Sequence, residues 1–170
     1  MYCPVYESAY FVSCQILLDS GTTELPVKPV RLAARYAVEC KSTDAFLTAG
    51  EPGKLIYRAS GKTQIVVSPD LQNVQKRFVV LHELGHYFLG ECEYTADHFA
   101  ACVLMPQVVL LAAGIIDPES ISIVCGVSSC AAARCSKLLM WRRRQGNFLR
   151  NDLERKLFIQ FNDFIHKQTK

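Results

Sequence analysis

The run QKRFVVLHELGHYFLGECEYTADHFAACVLMP, residues 75–106, decides how the rest of the chain is read. Within it, His82 and His86 stand four apart. On an α-helix such residues share a face, so both imidazoles reach one ion. Glu83 lies beside that face, where a carboxylate serves as proton acceptor in metal-assisted hydrolysis. Zinc is the expected metal, a single ion, because it takes imidazole and carboxylate ligands and leaves a fourth position open. Phe78, Leu81, Gly85 and Leu89 set an apolar stripe next to the histidines. A core-facing helix carrying two His and a Glu is costly unless those groups bind something.

Two histidines do not complete a site, and only His98 and His166 remain of the four in the chain. Gly90 ends the first helix and a second is expected from about Cys92 to Leu104. On that second helix Glu93, Ala96, Asp97 and Ala100 share a face, and the two alanines allow close approach. Glu93 is read as the third ligand. Asp97, one turn on, is read as the acceptor of a ring N–H from a ligand histidine, a bond that fixes the tautomer. The reverse assignment keeps Asp97 as ligand and Glu93 as an acid placed by helix-start preference. His98, Tyr87 and Tyr94 are candidate donors to an oxyanion.

Working outward, Lys54–Ala59 and Lys62–Ser68 read as two strands around Ser60-Gly61, a hairpin that helices must cover. Ser68-Pro69 reads as the start of the long helix, bent or broken near its beginning. Glu7–Leu18 and Val30–Glu39 read as helices joined by the stiff Leu25–Pro29 connector. Phe99 to Ile116 is borderline in length for a membrane span, but Pro106 interrupts it. Two buried helices meeting at Met105-Pro106 are expected instead. After Glu119 the pattern becomes helix, turn at Gly126-Val127-Ser128, helix. A last amphipathic helix is expected from about Asn151 to His166.

With 170 residues, half of them apolar, the chain can bury a sizeable core. The net charge of +3 is unevenly spread. Arg134 to Lys170 holds ten Lys/Arg against three Asp/Glu, and the preceding residues hold nine against thirteen. The basic end is read as a solvated helical face rather than a nucleic-acid surface. Eight cysteines without a C-x-x-C pair or a leading signal peptide suit a cytoplasmic chain that uses Cys as a small buried hydrophobe. Cys125, Cys130 and Cys135, five apart, do not have ligand spacing.

The segment from Gln75 to His86, followed by Glu93 to Ala100 and Leu104-Met105-Pro106, resembles the ImmA/IrrE family of zinc metallopeptidases. Leu25-Pro26-Val27, the strand ending Ile65-Val66-Val67-Ser68 and the Cys125–Ser128 turn resemble it as well. The resemblance runs from about Glu7 to Ile165. It implies an α+β fold, mainly helical with a small antiparallel sheet in the zincin or gluzincin manner. Residues 1–117 would form the metallopeptidase domain, and 118–170 a C-terminal helical subdomain packed on it, with a helix-turn-helix-like pair. It also implies His82, His86 and Glu93 as zinc ligands and Glu83 as the catalytic glutamate. The implied setting is a bacterial or phage cytoplasmic protein, with no membrane partner, that cleaves a helix-turn-helix repressor encoded on a mobile element. Asp97 stands where that family more often shows Asn.

Two other readings stay open. Pro118–Leu139 has the outline of a DNA-binding helix-turn-helix with Arg134, Lys137 and Arg142–Arg144 nearby. Its second helix starts with small residues rather than Asn, Gln or Arg, so direct DNA binding is not expected as the main role. A catalytically silent zinc-binding sensor is the other.

Overall fold

The computed structural model describes residues 4–146 and 148–169. The order is α1 (Pro4–Asp19), α2 (Pro29–Arg35), β1 (Val38–Ser42), β2 (Gly53–Tyr57), β3 (Thr63–Val67), α3 (Asn73–Leu89), α4 (Glu93–Leu104), α5 (Gln107–Ala112), α6 (Pro118–Cys125), α7 (Ser129–Arg144), α8 (Asp152–Gln160) and α9 (Asn162–Gln168). The mainly helical α+β class expected from sequence is what forms. The chain folds as two compact units. The first contains Lys28–Ala100 with the residues up to Tyr10, the second Phe11–Val27 and the chain from Ala101 on.

In the first unit a three-stranded sheet has the order β1-β3-β2. The expected hairpin is present, β2 antiparallel to β3 with Leu55 opposite Ile65. The third strand is a correction to the sequence reading, which continued the second helix to Glu39. Ala37 takes a left-handed φ of 57°, the helix stops, and Val38–Ser42 pairs parallel with β3. Because β3 is central, the Ile65–Val67 strand has no free edge, and an added peptide strand must use β2 or β1. Ile65 and Val66 are fully buried, as the middle strand of a covered sheet requires.

Helix α3 packs on β2 and β3 and buries Val79, Val80, Leu81 and Leu84. It starts later than Ser68-Pro69 suggested. Ser68 Oγ accepts from the Asp70 N–H in a turn, and the helix begins after Gln72. Gln72 and Gln75 form a reciprocal capping box, which satisfies two backbone donors at once. Gly90, at φ 84°, ends the helix as expected.

In the second unit α5 packs on α7 and α8, and α6 on α7. The expected break at Met105-Pro106 separates α4 from α5. Glu93–Ala112 is long and apolar enough by composition to cross a membrane, but 72% of its apolar window is buried inside the fold. The expected single C-terminal helix is two, α8 and α9, with the break at the fully buried Phe161. Gln160 Nε2 donates to the carbonyls of Leu17 at 2.8 Å and Thr22 at 2.7 Å, fastening α8 to the far end of α1.

Among the described cysteines Cys14, Cys102, Cys125 and Cys135 are buried and form no disulfide, as expected of small hydrophobes. Burial pushes the Cys135 thiol up to about 12. Cys92 and Cys130 are exposed. A thiol reagent at neutral pH is therefore expected to modify Cys92 and Cys130 and to spare the four buried thiols until denaturant is added, with mass spectrometry as the readout.

Candidate metal centre

Helical spacing puts His82 and His86 one turn apart on α3, and the Gly90 turn brings Glu93, the first residue of α4, back over them. His82 Nε2 and His86 Nε2 are 3.0 Å apart. The Glu93 carboxylate lies 3.2 Å from His82 Nε2 and 3.3 Å from His86 Nε2. These are the residues whose donor atoms converge among the described His, Cys, Asp and Glu.

The close approach of α3 and α4 depends on Gly85. A Cβ there would stand 2.9 Å from the Ala96 backbone and 3.1 Å from the Phe99 ring. Ala96, Phe99 and Ala100 are fully buried. Gly85→Ala is expected to force the helices apart, costing about 1–3 kcal/mol and weakening metal affinity. Denaturant titration and metal competition would measure the two effects.

The imidazole tautomers are set from behind. His86 Nδ1 lies 2.9 Å from the Gly90 carbonyl, which can only accept, so Nδ1 carries the hydrogen. His82 Nδ1 lies 2.8 Å from Asp97 Oδ1, a carboxylate that asks for the same tautomer. Both Nε2 atoms are left with lone pairs pointing at each other and at a carboxylate.

A donor set of two nitrogens and an oxygen with no hydrogen between them suits a cation. Donors held at about 2.0 Å in a tetrahedron are separated by about 3.3 Å, close to the spacings found. The residues therefore fit a zinc ion. Glu93 is the exposed member, with 72% of its side chain accessible, while the His82 and His86 side chains are 16% and 11% accessible. The metal-facing side is thus open.

Glu83, the remaining polar residue of the motif, is buried. Burial raises its carboxyl above the usual carboxylate range, while His82, His86 and a hydrogen bond from the Leu55 backbone N–H pull the other way. Ladder parity explains the last contact. Arg58 N–H donates to the Lys62 carbonyl and Ser68 N–H to that of Pro52, so the even positions of β2 bond to β3. Gly53, Leu55 and Tyr57 turn their backbone groups outward. Gly53 lets the strand approach: a Cβ there would clash with Val79 Cγ1 at 2.3 Å and touch Glu83 Cγ at 3.7 Å.

Of the three oxyanion candidates, Tyr94 is 74% exposed beside Glu93 and Tyr87 packs edge-on against Phe88. Burial lowers the basicity of His98 and favours its neutral form. Sequence reasoning had no access to the Gly90 carbonyl or the Leu55 N–H, because backbone groups leave no residue signature. Gly53 and the turn glycine Gly90 were the available hints.

The family model for the IrrE N-terminal-like domain, Peptidase_M78, matches residues 46–131, just over half of the chain. That stretch runs from before β2 to the first turn of α7. No curated protein matches the chain.

Proposed function

Since this chain belongs to the Peptidase_M78 family, that of the IrrE N-terminal-like domain, we propose that it is a zinc-dependent endopeptidase with His82, His86 and Glu93 as ligands and Glu83 as the catalytic residue. The observation that carries this reading is the convergence of two histidine nitrogens and a glutamate oxygen beside a buried glutamate.

A bound zinc ion supplies Lewis acidity toward a peptide carbonyl and eases loss of a proton from water. Glu83 takes that proton as water attacks the carbonyl carbon and returns it to the leaving amide nitrogen. Burial strengthens its carboxylate as a base, while the Leu55 N–H donates a hydrogen bond to it. Asp97 and the Gly90 carbonyl hold the two imidazoles in the ligating tautomer. An extended substrate would add to the outward groups of Gly53 and Tyr57 on the β2 edge, passing over Glu83.

Membership of a peptidase family implies a protein substrate. The finer proposal is a helix-turn-helix repressor encoded beside this gene on a mobile element, cleaved in the bacterial cytoplasm. Elemental analysis should find one zinc per chain, lost in Glu93→Ala. The purified protein should then cut that repressor, and a chelator should stop it. A protein that binds no metal at any zinc concentration, or zinc-loaded protein that leaves the repressor intact, would remove this reading.

A further inference from the structure

We propose that the outward face of α7 binds duplex DNA along its phosphate backbone, without sequence selectivity. This does not rest on the peptidase reading, since the face from Arg134 on lies beyond the matched residues 46–131.

The first observation is the geometry of the helix pair. The axis turns through 119° between α6 and α7. The three-residue turn begins with Gly126 in the left-handed conformation, φ 60° and ψ 51°. Two helices at about 90–120° joined by such a turn form the helix-turn-helix arrangement. Ser122 Oγ donates to the Val127 carbonyl, and Ser128 Oγ caps α7 through the Ala131 N–H. The angle is therefore fixed by local bonds.

The second observation is charge. Between Glu119 and Asp152 the chain has no acidic residue. Helix α7 buries Ala132, Cys135, Ser136, Leu139 and Arg142. The opposite stripe, at alternating three- and four-residue steps, is Arg134, Lys137, Trp141 and Arg144, all exposed. None of Arg134, Lys137, Arg143 and Arg144 has an ion-pair partner among the described residues. From Arg134 to Arg144 the helix rises about 15 Å. Duplex DNA carries about one charge per 1.7 Å of axis, so several phosphates lie within reach.

The chemistry selects this occupant. A helix that binds a membrane does so with its apolar face. The inner face of α7 is used in the core. On its outward side Leu138, Met140 and Trp141 stay partly exposed between cations that have no acidic neighbour on the helix, so excess positive charge rather than a continuous apolar face selects the partner. Exposed Ser128, Ser129 and Cys130 at the helix start add no negative charge. They also offer no long amide or guanidinium group for reading base edges, so contact is with phosphate.

Trp141, the one tryptophan in the sequence, lies on this stripe and is 55% exposed. It gives a built-in probe. The full chain should be titrated with a labelled mixed-sequence duplex of about 24 base pairs, following both duplex anisotropy and Trp141 emission. Micromolar binding is expected near 50 mM salt, weakening about 100-fold by 200 mM, because four phosphate contacts give a log–log slope of about −3.6. A second duplex of unrelated sequence should bind equally. The combined Arg134→Glu, Lys137→Glu and Arg144→Glu variant should bind at least about 30-fold more weakly. Single Arg134→Ala and Arg144→Ala changes, which the fold tolerates at exposed sites, should each reduce the slope by about one. No binding at low salt, binding undiminished in these variants, or binding only to phosphatidylserine vesicles would overturn the proposal.

Discussion

Glu83→Gln is expected to keep the full zinc content of the wild type and to lower peptide hydrolysis at least about 100-fold, the usual contribution of a positioned general base. The substitution preserves size and can still accept the Leu55 N–H through its amide oxygen. It removes the ability to hold a proton in transit. Glu83 is not among the converging ligand atoms, so metal affinity should be spared. Elemental analysis alongside a cleavage assay separates the two effects. A variant that cleaved at the wild-type rate would assign the proton transfer to another group. A variant that lost its zinc would place Glu83 among the ligands.

The second large effect is expected far from the metal centre in sequence. Glu154 is fully buried, and both its oxygens accept from Arg142 Nη2 at 3.0 Å. It also accepts from the Arg150 backbone N–H at 2.7 Å and from the Arg150 guanidinium. Arg142 is 2% exposed and donates further to Gln107 Oε1 and the Phe148 carbonyl. The network joins α5, α7, the loop after α7, and α8. Removing one partner strands a charge without water. Glu154→Ala or Arg142→Ala should therefore cost about 3–5 kcal/mol, or roughly 10 °C in Tm for a chain of this size. Replacing both ions by apolar residues, as in Arg142→Met with Glu154→Leu, should recover much of the loss. Thermal melts of the three variants distinguish a stabilising network from an incidental one: equal melting of Glu154→Ala and wild type would show the latter.

What the residues disclosed beforehand follows a physical division. The helices carrying the site were legible because their information is local: His82 and His86 four apart, Gly90 at the stop, Pro106 at the break. The β2–β3 hairpin was legible for the same reason. Strand β1 was not, since Val-Glu-Cys-Lys-Ser becomes a strand only by pairing with β3, 25 residues further along. The break at Phe161 was hidden because the apolar spacing runs straight through it. Glu93 could be placed by reasoning about two packed helices with small residues between them. Arg142 was read as one of three surface arginines, although its three- and four-residue steps from Leu139 and Cys135 put it on the buried stripe. That phase was in the sequence, and the run of like charges masked it.

The bond from Gln160 to Leu17 and Thr22 carries a consequence for biosynthesis. The ribosome delivers about 140 residues between these partners, which at 5–20 residues per second takes on the order of ten seconds. During that interval the end of α1 has no α8 to fasten it. The second unit can close only once α8 has been made. Ribosome-bound fragments ending before α8 should accordingly remain open to proteolysis around Leu17, whereas a chain that includes α8 and α9 should resist it.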